Sequence, residues 1–197
     1  MLEVELKSVV DDVPLRRAAI EAAGAVLVFE GHLGDRRYDT LDGSLLARDH
    51  VLRVRAYGGP AGQRVELDWK GPTRRDGVYK VREELEVSVD DSTATSAILE
   101  RLGFRVIVAI DREIAQYDLN GAMVRFETYP RMDRLVEVEG SPERIEAAIV
   151  ALGLPRSGFT AEPLTEFVLR FQARTGAPAA LSDAELRDVS AANVHDA

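Results

Sequence analysis

Six segments of this 197-residue sequence place charged side chains at alternate positions, with apolar residues between them. Glu3, Glu5 and Lys7 alternate with Val4 and Leu6, and Arg53 and Arg55 with Leu52 and Val54. Glu66, Asp68 and Lys70 oppose Val65, Leu67 and Trp69, while Arg82, Glu84 and Glu86 oppose Val81, Leu85 and Val87. Arg125 and Glu127 flank Phe126, and Glu137 and Glu139 lie opposite Val136 and Val138. Successive side chains of a strand point to opposite faces, so each segment is a strand with one charged face. Those faces are either the solvated outside of an open sheet or the lining of a closed one. Repetition over six strands favours closure, with mixed charges converging in a lumen. Such a lumen must be wet, because unpaired buried charges are costly.

The residue types suggest what that lumen holds. Arg and Lys converging on a small volume suit phosphate oxygens. Carboxylates in the same space would repel a polyanion unless a divalent cation lay between them. Oxygen ligands without His or Cys favour Mg²⁺ or Mn²⁺ over Zn²⁺. The sequence has no cysteine, which excludes disulfides and thiolate metal sites. Its three histidines, His32, His50 and His195, lack metal-ligand spacing. Trp69 is expected in the core; either Asp39 and Tyr38 order a loop over the mouth of the lumen, or Asp39 caps a turn with Thr40.

The elements that must position these charges are legible in outline. A Glu-x-Glu strand followed by a helix ending at glycine occurs three times, at Glu3–Gly24, Glu84–Gly103 and Glu137–Gly153. Asp12 with Pro14, Asp91 with Ser92, and Ser141 with Pro142 are helix-start signals. Further strands are expected at Ala25–Glu30, Arg105–Ile110, Ile114–Leu119 and Met123–Thr128. Asn120-Gly121 is a hairpin turn signal between the last two. Residues 160–174 have helical apolar spacing, with Leu164, Phe167, Val168 and Phe171 on one face. One domain over 1–174 is expected, and 175–197 reads as a tail, either a short helix from Ser182 or disordered.

The net charge of −9 disfavours a broad nucleic-acid-binding surface. No apolar run approaches membrane-spanning length, and the charged Met-Leu-Glu-Val-Glu-Leu-Lys start has no signal-peptide core, so a cytoplasmic protein is expected. A monomer or a homodimer is equally compatible with the sequence.

Glu3-x-Glu5-x-Lys7, then Asp35-Arg36-Arg37-Tyr38-Asp39-Thr40, Leu52-Arg53-Val54-Arg55 and Lys70-Gly71-Pro72 appear in the order of a known family pattern. Arg82-x-Glu84-x-Glu86, Leu102-Gly103-Phe104, Glu127 and Glu137-Val138-Glu139 complete the series. Over residues 1–172 the chain resembles the CYTH superfamily, the triphosphate tunnel metalloenzymes, nearest to its class IV adenylyl cyclase branch. The resemblance implies an α+β fold with an eight-stranded antiparallel β-barrel, a tunnel with a charged interior and flanking helices. It implies metal binding by Glu3, Glu5, Glu127, Glu137 and Glu139, and triphosphate binding by Lys7, Arg53, Arg55, Lys70 and Arg82. Arg112 is a further candidate cation, and strand alternation adds Arg125. Lys7, Arg53, Arg55 and Arg82 are the candidate catalytic residues.

The implied substrates are ATP, tripolyphosphate or thiamine triphosphate. Conversion of ATP to cyclic AMP and pyrophosphate stands first and triphosphate hydrolysis second. A weakly catalytic nucleotide- or polyphosphate-binding module is the third reading. Three departures from the family pattern are visible: Glu127 where Asp is usual, Met132-Asp133 where Leu-Gly is usual, and Ile114 where an arginine is expected.

Overall fold

The structure, a computed structural model, describes residues 2–60 and 62–188. His195 and the rest of 189–197 lie outside the described residues. Among the described residues, nine strands occur in chain order: β1 Leu2–Val9, β2 Val26–Thr40, β3 Val51–Gly59, β4 Gly62–Lys70, β5 Arg74–Asp76, β6 Tyr79–Val89, β7 Phe104–Leu119, β8 Ala122–Thr128 and β9 Leu135–Glu139. Their hydrogen-bonded order is β1-β9-β8-β7-β2-β3-β4-β6-β5, and β1 also pairs with β6. That last pairing closes eight antiparallel strands into a barrel, leaving β5 as a three-residue flap on β6.

The barrel is polar inside and apolar outside. Its outer face carries Leu6, Val124, Phe126, Val136 and Val138, which helices α1 (Val13–Ala22) and α3 (Pro142–Leu152) bury. Ile145, Ala148, Ile149 and Leu152 of α3 recur at helical spacing and are at most 2% exposed. Each of the larger ones contributes roughly 1.5–3 kcal/mol by burial. On another flank, Leu99 of α2 (Ser92–Arg101) packs with Tyr38, Val54 and Val65. The helices begin where their caps predict: Asp12 accepts from Leu15 N at 3.0 Å, and Asp91 from Thr93 N at 2.8 Å. α3 ends at Gly153 in the left-handed conformation. Asn120 and Gly121 both have positive φ, the conformation a two-residue hairpin needs.

Two expected elements differ. The strands expected at 105–110 and 114–119 are one continuous strand, β7, and β2 runs ten residues past its expected end at Glu30. In both, the charged runs that read as a break in the sequence continue the ladder, and Asp35, Arg37 and Arg112 within them face the lumen. Trp69, expected in the core, is half-buried on the barrel's outer face, edge-on to His50 at 5.1 Å.

Helix α4 (Leu164–Thr175) packs Phe167 and Leu164 against Ile110, Tyr129 and Leu135, covering one end of the barrel. Toward the opposite end, Ile114 packs with Leu33, Tyr57 and Phe29 as an apolar floor. Residues 177–182 lie along the outside. Arg131 and Ala180 exchange two backbone hydrogen bonds, and Asp111 N donates to Leu181 O at 2.8 Å. Residues 183–188 are helical.

Candidate active site: a charged tunnel

The barrel encloses a cavity of about 540 Å³, within the roughly 300–1,000 Å³ typical of small-molecule sites. Every candidate site residue from the sequence lines it: Glu3, Glu5, Lys7, Arg53, Arg55, Lys70, Arg82, Arg112, Arg125, Glu127, Glu137 and Glu139. In strand order, β1 stands opposite β2 and β9 opposite β3. Glu3, Glu5, Glu137 and Glu139 therefore form a wall that faces the guanidinium-bearing wall of β2 and β3.

On the acidic wall, register sets Glu5 beside Glu139 and Lys7 beside Glu137. Lys7 bridges the two strands, contacting Glu5 at 3.0 Å and also Glu137. Lys80 pairs with Glu5, and Lys70 with Glu3 at 2.5 Å and Glu84 at 3.2 Å. Burial opposes ionisation of Glu5, yet Lys7 and Lys80 hold its carboxyl at about 2. Burial and the neighbouring Glu3 and Glu137 carboxylates push Glu139 up to about 7. One oxygen of Glu3 is buried with no hydrogen-bond partner. Crowded carboxylates with an orphaned oxygen are the chemistry a hard divalent cation satisfies, so these residues fit Mg²⁺ or Mn²⁺.

A second acidic group lies elsewhere on the lining. Single carboxylate oxygens of Glu66, Asp68 and Glu86 fall within 4.8 Å of one another. Asp68 in that group is already committed to Arg53, through contacts of 2.9 to 3.0 Å.

The basic wall is organised by Asp35, which is 1% exposed. Its oxygens accept from Arg55 at 2.8 and 3.0 Å, Arg112 at 3.1 Å and Arg53 at 3.5 Å. Burial opposes its ionisation, but these three cations hold its pKa well below the carboxylate range. Glu127 is a second node. It accepts from Arg112 at 3.0 Å, Arg125 at 3.1 Å and the Tyr129 hydroxyl at 2.6 Å. Arg125 continues to Glu137. This wall holds guanidinium groups in fixed positions before any ligand arrives, and such preorganisation is what binding charged oxygens requires.

Arg82 differs from the other cations. Its Nε donates to Gly71 O at 2.7 Å and its Nη2 to Asp49 O at 2.6 Å, which ties two rim loops together. Asp39 likewise orders the rim, accepting from Leu45 N and Leu46 N at 2.9 Å each. Tyr38 points outward and donates to Ser96 at 2.7 Å.

Sequence reasoning missed Asp35, Arg37, Lys80 and Tyr129 as tunnel residues. Lys80 could have been found two positions before Arg82 on the same strand face. Asp35 and Arg37 share a face of β2, but that strand was expected to end at Glu30.

The CYTH domain model matches residues 1–139. This chain belongs to the CYTH family. A Methanocaldococcus jannaschii relative named "putative adenylate cyclase" is 28% identical over 110 residues, 56% of this chain. The match spans 60% of that relative's length. A "putative adenylate cyclase" from Vibrio parahaemolyticus superposes with a TM-score of 0.74 at 18% identity, covering 86% of this chain and 98% of that one. A Pyrococcus horikoshii protein gives 0.69 at 22% identity, covering 85% and 98%. A Hippeastrum adenylyl cyclase homologue, described as having a dominant triphosphatase activity, gives 0.59 at 18% identity, covering 92% and 98%. At these identities the structures share the fold with this chain. Among the described residues, no helix is long and apolar enough to cross a membrane.

Proposed function

We propose that this CYTH protein is a metal-dependent enzyme that draws a triphosphate into the tunnel and cleaves it at phosphorus, with ATP cyclisation as its reaction. The observation that carries this reading is the opposition of the two walls. Carboxylates on β1 and β9 face a preassembled set of guanidinium groups across a cavity that suits a small polyanion. Glu3, Glu5, Glu137 and Glu139 would hold Mg²⁺ or Mn²⁺, which would neutralise phosphate charge and draw the chain toward that wall. Glu127 is assigned to positioning Arg112 and Arg125, which converge with the Tyr129 hydroxyl on its carboxylate.

Arg53, Arg55, Arg112 and Arg125 bind the phosphate oxygens, with Lys7 and Lys70 beside them. Their charge stabilises the negative charge that builds on the departing pyrophosphate. In cyclisation the 3′-oxygen of ATP forms a bond to the α-phosphorus, its proton passes to solvent or a carboxylate, and the bond to pyrophosphate breaks. Arg82 holds the rim loops rather than the substrate.

Hydrolysis of tripolyphosphate or thiamine triphosphate is the second reading. It is favoured by a lining charged on almost every strand and by the triphosphatase activity described for the Hippeastrum neighbour. Product analysis separates the two. Incubation with Mn²⁺ and ATP yields cyclic AMP and pyrophosphate under the first reading, and incubation with Mn²⁺ and tripolyphosphate yields orthophosphate under the second. Binding of either triphosphate without turnover would leave a binding module, and no binding would overturn the proposal.

A further inference from the structure

Arg37 lies on the cavity side of β2, in register with Arg53 of β3 and Val108 of β7. Its Nε is buried and has no hydrogen-bond partner. Its guanidinium makes no ion pair among the described residues. Asp35, two positions earlier on the same face, is already shared by Arg53, Arg55 and Arg112. Asp68 serves Arg53, and Glu127 serves Arg112 and Arg125. The basic wall thus holds one cation more than its own carboxylates engage. Burial and the charges of Arg53, Arg112 and Arg55 push the pKa of Arg37 down, with Asp35 opposing them. A half-buried guanidinium that no carboxylate of the wall engages is a site for an anion.

The first turn of α4 lies at the same end of the barrel. Pro163, Leu164 and Thr165 line the cavity, and no side chain caps the helix there. Leu164 packs in one cluster with Val108 and Ile110, the register partners of Arg37 and Asp35. An uncapped N-terminus of a 12-residue helix adds free N–H groups and a favourable dipole for negative charge.

We propose that Arg37, with the first turn of α4, forms the subsite for the terminal phosphoryl group of the triphosphate chain. This rests on the triphosphate reading above and adds to it a reason for preferring three phosphates over two. A diphosphate engages Arg53, Arg55 and Arg112 but leaves Arg37 empty.

The test is calorimetric titration of tripolyphosphate and of pyrophosphate into the full chain at fixed Mg²⁺, comparing wild type with Arg37→Gln and Arg37→Met, alongside thermal melts without ligand. Both variants are expected to lose at least about tenfold in tripolyphosphate affinity, the cost of one charge-assisted contact. Pyrophosphate affinity is expected to stay within about twofold, and the unliganded melting temperature to hold or rise, because a half-buried charge with no partner in the protein is gone. Unchanged tripolyphosphate affinity, an equal loss for both ligands, or a fall in the unliganded melting temperature of both variants would each overturn the subsite. A wild-type protein that binds neither ligand would overturn the triphosphate reading, and the subsite with it. Wild-type binding that the variants retain removes the subsite alone.

Discussion

Asp35 and Arg55 meet across the β2–β3 pair in a two-point contact, Nε to Oδ1 at 2.8 Å and Nη2 to Oδ2 at 3.0 Å. The same carboxylate reaches Arg112 and Arg53, so one acid holds three guanidinium groups in place. Asp35→Asn should lower the stability of the unliganded protein by about 3–5 kcal/mol, because it leaves buried charges uncompensated. Tripolyphosphate should restore much of that loss by supplying the missing negative charge. Thermal melts with and without ligand check this, and a ligand-induced shift no larger than that of wild type would contradict it.

Arg53 carries the binding side of the account. Arg53→Ala should weaken tripolyphosphate binding by about 10- to 150-fold, the equivalent of one lost charge-assisted contact. A wild-type dissociation constant would show that this guanidinium does not meet the phosphate chain.

Metal dependence resides on the opposite wall. Glu5→Gln and Glu137→Gln should each reduce Mn²⁺-dependent turnover by about 100-fold or more while circular dichroism shows the fold retained. Unchanged turnover in both variants would remove these residues from the metal site.

Stability of the metal-free protein should peak near pH 5. Asp35 and Glu137 titrate well below their ordinary ranges in the folded state, and Glu5 at about 2. The stability they contribute is present above about pH 4.5 and is lost as pH falls toward 2, where the unfolded chain binds protons first. Glu139 acts in the opposite sense. Its folded pKa of about 7 lies above its unfolded value, so stability declines as pH rises from about 4.5 to 7. That decline is on the order of 3 kcal/mol. Urea midpoints measured from pH 2.5 to 8 check both limbs, and a midpoint still rising at pH 8 would contradict the environment assigned to Glu139.

The inward charges of β1, β3, β4, β6, β8 and β9 were legible because strict alternation with apolar residues declares a face. The helix starts at Asp12, Asp91 and Ser141 were legible because capping chemistry is local. β2 and β7 were harder. Asp35-Arg36-Arg37 and Asp111-Arg112-Glu113 are unbroken charged runs, and such runs read as loops unless the partner strand is known. Arg36 and Asp111 pair at 2.8 Å outside the lumen, while Asp35, Arg37 and Arg112 line it, so each run divides between two faces. Arg82 shows a different limit. Alternation placed it inward, yet its guanidinium is taken by carbonyls of Gly71 and Asp49, rim residues that sequence periodicity does not place beside it.

The most direct test is a crystal structure of the full chain soaked with Mn²⁺ and tripolyphosphate, with the metal located by its anomalous signal. The two-wall arrangement predicts manganese against Glu3, Glu5, Glu137 or Glu139, and phosphate oxygens on Arg53, Arg55 and Arg112. Manganese bound only by Glu66, Asp68 and Glu86, or a phosphate chain lying outside the barrel, would contradict it.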